Sequence, residues 1–107
     1  MDTQRKKGLL DICVLAVLRA GPSYGYLLIR EVSQCMPISE STLYPILKRL
    51  EASGCLTTYQ QEHNGRTRKY YRLTKAGEER IRVFLSEWDE MQRIYRFVEE
   101  RSQEGLQ

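Results

Sequence analysis

The sequence predicts a mainly α chain that carries one small β-hairpin. Three observations predict it. Apolar residues recur at helical spacing in three segments before residue 54 and in one long segment after residue 74. Between them lie two short runs rich in Thr and Tyr, Leu56 to Glu62 and Thr67 to Leu73, which is the composition of paired strands. The runs are joined by His63-Asn64-Gly65-Arg66, and Asn-Gly is a strong signal for a tight hairpin turn.

A first helix is expected from about Arg5 to Ala20. Leu9, Leu10, Ile12, Cys13, Val14, Leu15, Val17 and Leu18 surround its axis, and a helix apolar on all sides needs burial on all sides. One side faces the core. The other requires a second covering, a first indication of a dimer. Gly21-Pro22 ends this helix, and Ser23 is placed to cap the next. Tyr24, Leu27, Leu28 and Val32 form the apolar stripe of that second helix, which Pro37 stops by about Met36.

Ser39 or Ser41 caps a third helix, with Glu40 near its positive end. Leu43, Ile46, Leu47 and Leu50 make its inner face, and Gly54 is a natural C-terminal stop. The outer face carries Ser41, Pro45, Lys48 and Ala52, flanked by Thr42, Tyr44 and Arg49. Pro45 removes a helix hydrogen bond. After the hairpin, Thr74 caps a fourth helix running from near Lys75 to near Ser102, with Ser102 to Gln107 frayed. Ile81, Phe84, Trp88, Met91, Tyr95 and Val98 follow one another at spacings of 3, 4, 3, 4 and 3, a heptad seam. The domain is complete by residue 74, so the seam is expected to pair with the same helix of a second subunit. The expected division is residues 1–74 as a DNA-binding domain and 75–107 as a dimerisation helix.

The 107 residues fit one domain with a modest core. Net charge is only +3, but its distribution is uneven. The balance is +1 over residues 1–47, +5 over 48–75 and −3 over 76–107. A basic middle between neutral and acidic segments is the footprint of a nucleic-acid binder. No apolar run approaches the roughly 18 residues of a membrane span. Asp11 and Arg19 spoil the resemblance of the N-terminus to a signal peptide, so a cytoplasmic protein is expected. Cys13, Cys35 and Cys55 are widely spaced, with no Cys-x-x-Cys pair, and His63 is the single histidine. This argues against a disulfide framework and a metal site. Cys13 and Cys55 read as packing residues, and Cys35, near a helix end, as the one placed for redox chemistry. No nucleophile–base pair or phosphate loop is present, so neither an enzyme nor a cofactor is expected.

Helix, helix, helix, hairpin, helix is the layout of a winged helix-turn-helix with an added C-terminal helix. In helix-turn-helix proteins the second of the paired helices enters the major groove. Here it offers Ser41, Thr42, Tyr44, Lys48 and Arg49 to double-stranded DNA. The hairpin adds Asn64, Gly65, Arg66, Arg68 and Lys69, cations on a thin loop that can grip phosphate or follow a minor groove. Strand alternation puts Arg66 and Arg68 on one face and Thr67 and Lys69 on the other. The alternative is a winged helix used for protein–protein contact without specific DNA binding.

Three stretches together resemble the PadR family of bacterial regulators. They are Tyr24-Gly25-Tyr26, the run from Thr42 to Glu51, and Gly65-Arg66 followed by the run from Arg68 to Gly77. The resemblance spans roughly residues 9 to 98 and gives a precedent for Pro45. It implies a homodimeric repressor on a palindromic operator, released by a small molecule, with Tyr44, Lys48 and the hairpin cations on DNA. The short C-terminal region is similar to the branch that includes multidrug-sensing repressors. That implies a central pore where Trp88, with Met91, stacks on a planar aromatic effector and Gly8, Asp11 and Ile12 form the other wall. Asp11 stands where a neutral polar residue is usual, and an acid there is expected to favour cationic ligands.

Overall fold

The computed structural model describes residues 3–105, and among them the chain forms four helices and a three-stranded sheet. The order is α1 (Thr3–Leu18), β1 (Ser23–Tyr24), α2 (Gly25–Val32), α3 (Glu40–Ala52), β2 (Leu56–His63), β3 (Arg66–Leu73) and α4 (Lys75–Gly105). This is the mainly α, winged helix-turn-helix fold expected. The fraying expected at the C-terminus differs: α4 stays helical to Gly105, and Leu106 and Gln107 lie outside the described residues.

The core forms where the apolar stripes meet. Leu10, Val14, Leu15 and Leu18 of α1 bury against Leu28 and Val32 of α2 and against Leu43, Ile46, Leu47 and Leu50 of α3. Leu56 and Tyr71 close it from the sheet. Each such side chain stabilises the fold by about 1.5–3 kcal/mol of transfer free energy. Ile12, Cys13 and Val17 remain half-buried on the flank of α1.

β1 departs from the expected pattern. Tyr24 lies in a strand, not on the stripe of α2, because Ser23 pairs with Tyr71 and Tyr24 with Tyr70 in an antiparallel ladder. The sheet order is β1-β3-β2. Ser23 therefore does not cap α2. Tyr24 occupies that position without a side-chain bond, and the buried Ser23 hydroxyl has no hydrogen-bond partner among the described residues.

The hairpin matches expectation. Leu56 pairs with Leu73 and His63 with Arg66, leaving Asn64 (φ 52°) and Gly65 (φ 78°) as a two-residue turn. Two successive positive φ values make it a type I′ turn, whose twist matches the strands. Thr74 then starts α4 by bonding twice. Its hydroxyl donates to the Gly54 carbonyl at 2.6 Å and accepts the Gly77 N–H at 3.1 Å. Gly77 passes so close to the Cys55 carbonyl that any Cβ would collide with it, which fixes the angle at which α4 leaves the body.

At 1.5 Å per residue, the 31 residues of α4 span about 46 Å, and the molecule measures 68 × 26 × 21 Å. Ile81 was expected on the intersubunit seam, but it is 6% exposed and sits in the core of its own chain. The first two turns of α4 thus complete the globular body. Beyond Phe84 every described side chain of α4 is exposed. None of the described helices is long and apolar enough to cross a membrane.

Candidate nucleic-acid interface

The α2–α3 turn delivers the chain to Ser39, the N-cap of α3. Ser39 caps with its backbone: its carbonyl accepts the N–H groups of Thr42 and Leu43. Its hydroxyl lies 3.0 Å from that of Ser41 and 3.3 Å from that of Thr42. Three exposed hydroxyls thus surround the positive end of the helix, a setting that favours phosphate. Pro45 has no N–H to offer the carbonyl of Ser41, and its ring lies on the exposed side. Ser41, Thr42, Tyr44 and Lys48 are exposed beside it.

Tyr44 is held in place from behind. Its hydroxyl packs against the backbone of Gly25, where an added Cβ would strike the phenol oxygen. Gly25→Ala is expected to push the Tyr44 ring outward and weaken DNA binding about tenfold, or about 1.4 kcal/mol, while leaving the fold intact. An anisotropy titration beside a thermal melt checks this, and unchanged affinity would remove Tyr44 from the interface.

The structure brings Tyr44 together with two of the hairpin cations. Tyr24, Gly25, Tyr26, Tyr44, Arg68, Lys69 and Tyr71 line one cleft of roughly 470 Å³ between α3 and the wing. The Arg68 guanidinium lies over the Tyr24 ring at 4.4 Å, and the Lys69 ammonium lies 5.6 Å from the centre of the Tyr71 ring. Contacts of this kind hold a cation in position while its polar edge stays available. On the outer sheet face the rings continue, with Tyr70 edge-on to Tyr24 and stacked on Tyr59, and Arg72 over Tyr59. Burial pushes the Tyr71 phenol above its ordinary pKa, and Tyr44 and Glu51 add to the effect, so it stays neutral. Asn64, Gly65 and Arg66 form the exposed wing tip.

Tyr24, Gly25 and Tyr26 were missed as site residues, although they stand in a motif that carries the family resemblance. Arg49 was expected on DNA, but its guanidinium turns inward to Asp11 at 2.6 Å. Arg80 of α4 reaches the other oxygen of the same carboxylate at 3.3 Å. Asp11 is 4% exposed, so it is not an acidic pore wall open to cationic ligands. It joins α1, α3 and α4 through two charge-assisted hydrogen bonds.

The expected effector residues do not form one pocket within a chain. Trp88 and Met91 line a groove of roughly 420 Å³ with Gln92, Tyr95, Arg96 and Glu99, all from α4. Gly8 is exposed and Ile12 half-buried on α1.

Comparison with known proteins identifies the family. Residues 14–83 match the Transcriptional regulator PadR-like family. The smu.1704 protein of Streptococcus mutans is 45% identical, with a TM-score of 0.71 over 78% of this chain and 79% of that one. A PadR family transcriptional regulator from Eggerthella lenta is 35% identical, with a TM-score of 0.73 over 82% of this chain and 79% of that one. Bacillus subtilis PadR, whose structure was solved in complex with operator DNA, is 28% identical with a TM-score of 0.66, over 72% of this chain and 46% of the longer one. With its three core helices, basic wing and matching family segment, the chain belongs to the PadR-like family of transcriptional regulators.

Proposed function

We propose that the chain is a cytoplasmic, homodimeric repressor that holds a palindromic operator and is released by a planar aromatic ligand. The observation that carries this reading is that α3 and the wing share one cleft, with Tyr44, Arg68 and Lys69 converging on it. Ser41, Thr42 and Lys48 extend that face along α3, and Asn64, Gly65 and Arg66 extend it along the wing. The operator complex of Bacillus subtilis PadR supports the assignment. Residues 1–74, completed by the first turns of α4, form the DNA-binding unit, and the rest of α4 is the dimerisation helix. Its seam of Phe84, Trp88, Met91, Tyr95 and Val98 sets two recognition helices to meet major grooves about 34 Å apart. A ligand between Trp88, Met91 and the partner's first helix, near Gly8 and Ile12, releases DNA by favouring a different separation.

The test is an anisotropy titration against DNA from upstream of the protein's own gene, beside scrambled DNA, over a range of salt. Sequence preference with a steep salt slope is the expected result, and equal binding to both DNAs overturns it. Lys48→Ala and Arg66→Ala should each weaken binding and lower the salt slope by about one unit per lost phosphate contact. If neither moves the slope, the DNA face is misassigned. Trp88→Ala should abolish quenching-detected binding of flat aromatic dyes while the dimer persists, and retained dye affinity in an absorbance titration would exclude Trp88 from the ligand site.

A further inference from the structure

Cys13 and Cys35 stand 22 residues apart in the chain, yet their sulfur atoms lie 4.0 Å apart, the Cys13 thiol donating to Cys35. Cys13 is on α1 and Cys35 in the turn between α2 and α3. Nothing in DNA binding or in the α4 seam uses this pair. Cys55 is separate and buried, in contact with the Ser53 hydroxyl and the Arg80 guanidinium.

We propose that Cys13 and Cys35 are a dithiol that a hydroperoxide closes to an intrachain disulfide, fastening the turn ahead of α3 to α1. The sulfurs must approach by about 2 Å to reach bonding distance, a movement that side-chain rotation and an exposed turn can supply. The two thiols have different surroundings. Cys35 is exposed and Cys13 half-buried, so the oxidant reaches Cys35 first. Burial, then the bond to Cys35, raises the Cys13 pKa above its ordinary value, so Cys13 stays a thiol until its neighbour has reacted.

The Cys35 sulfur, as thiolate, attacks the outer oxygen of the hydroperoxide. The O–O bond breaks, an S–O bond forms, and the alcohol or water leaves with a proton. Cys13 then attacks the Cys35 sulfur. The S–S bond forms, the S–O bond breaks, and the hydroxide leaves as water with the proton from Cys13. Two thiols lose two electrons in all, the hydroperoxide gains them, and an exogenous dithiol reverses the change. Because Cys35 lies just ahead of Ser39, the bond acts directly on the segment that sets the recognition helix.

The experiment treats the full-length protein with stoichiometric tert-butyl hydroperoxide and counts thiols after denaturation. The count should fall from three to one, with Cys55 remaining, and the mass should fall by two hydrogens, with a Cys13–Cys35 peptide in the digest. Cys55→Ser should still close the bond. Cys35→Ser should keep its two thiols, and Cys13→Ser should leave a dimedone-reactive sulfenic acid at Cys35. Three surviving thiols in the wild type, or a bond that joins two chains on a non-reducing gel, overturn the proposal. The readout needs no DNA, so its failure is distinct from failure of the proposed function.

Discussion

A Met91→Asp protein is expected to be monomeric at micromolar concentration and to bind operator DNA at least about 10²-fold more weakly. Met91 is 52% exposed in the single chain, Trp88 51%, Tyr95 65% and Val98 55%. A continuous apolar row of this size, left open to water, is what the proposed pairing of two copies would cover. Pairing two copies buries it on both, so one substitution places two carboxylates in the same apolar seam. Each would be an ion taken from water without a partner, at several kcal/mol apiece. Linking two half-site contacts through one dimer is worth about 10²–10⁴ in affinity, and a monomer loses that gain without losing any DNA-contacting residue. Sedimentation equilibrium and an anisotropy titration read the two effects separately. A dimer that persists in Met91→Asp would place the interface elsewhere. Because Met91 touches nothing in the core, the globular body should remain folded.

Removing both arginines that hold Asp11 should be the most damaging change within one chain. In the Arg49→Ala/Arg80→Ala double variant the buried carboxylate loses both cationic partners. Breaking a buried pair by deleting the partner typically costs about 3–5 kcal/mol, a large share of the 5–15 kcal/mol that holds such a domain. Either single variant should cost much less, because the remaining guanidinium still neutralises the acid. Adding Asp11→Leu to the double variant should restore most of the loss, since an apolar replacement for a buried ionic cluster is often neutral or better. Denaturant titrations at one fixed protein concentration measure all four proteins. A double variant that loses less than about 1 kcal/mol would show that the Asp11 carboxylate does not depend on the two arginines.

The triad also has a positional consequence. Arg49 lies in the last turn of α3 and Arg80 near the start of α4. A carboxylate that holds both makes α3 and α4 share one anchor on α1.

The apolar row of α4 was legible in sequence because its spacing is periodic, and periodicity is a local property. Ile81 shows the limit of that reasoning. It satisfies the heptad spacing as well as Trp88 does, yet the direction fixed at Gly77 lays the first turns of α4 on the body, and Ile81 is consumed by the core. Arg49 shows a related limit, because its ion pair to Asp11 was not legible. On a helical wheel it flanks the outer face, but the wheel does not know that a buried carboxylate stands within reach.

What the sequence by itself determined is every element whose cause lies within a few residues. The apolar stripes of α2 and α3, the Asn64-Gly65 turn and the Thr74 cap all belong to this class. So does the basic character of the wing. Only the tertiary structure decided the features that join distant segments. It made Tyr24 a strand residue through its pairing with Tyr70, and it set the Tyr44 hydroxyl against Gly25. It also gathered Arg49 and Arg80 on Asp11, across separations of 38 and 69 residues, and put the thiols of Cys13 and Cys35 side by side. The physical reason is the same in each case. Propensity, capping and turn chemistry act between near neighbours, whereas a buried charge, a two-residue strand or a thiol pair finds its partner only after the core has brought the chain together.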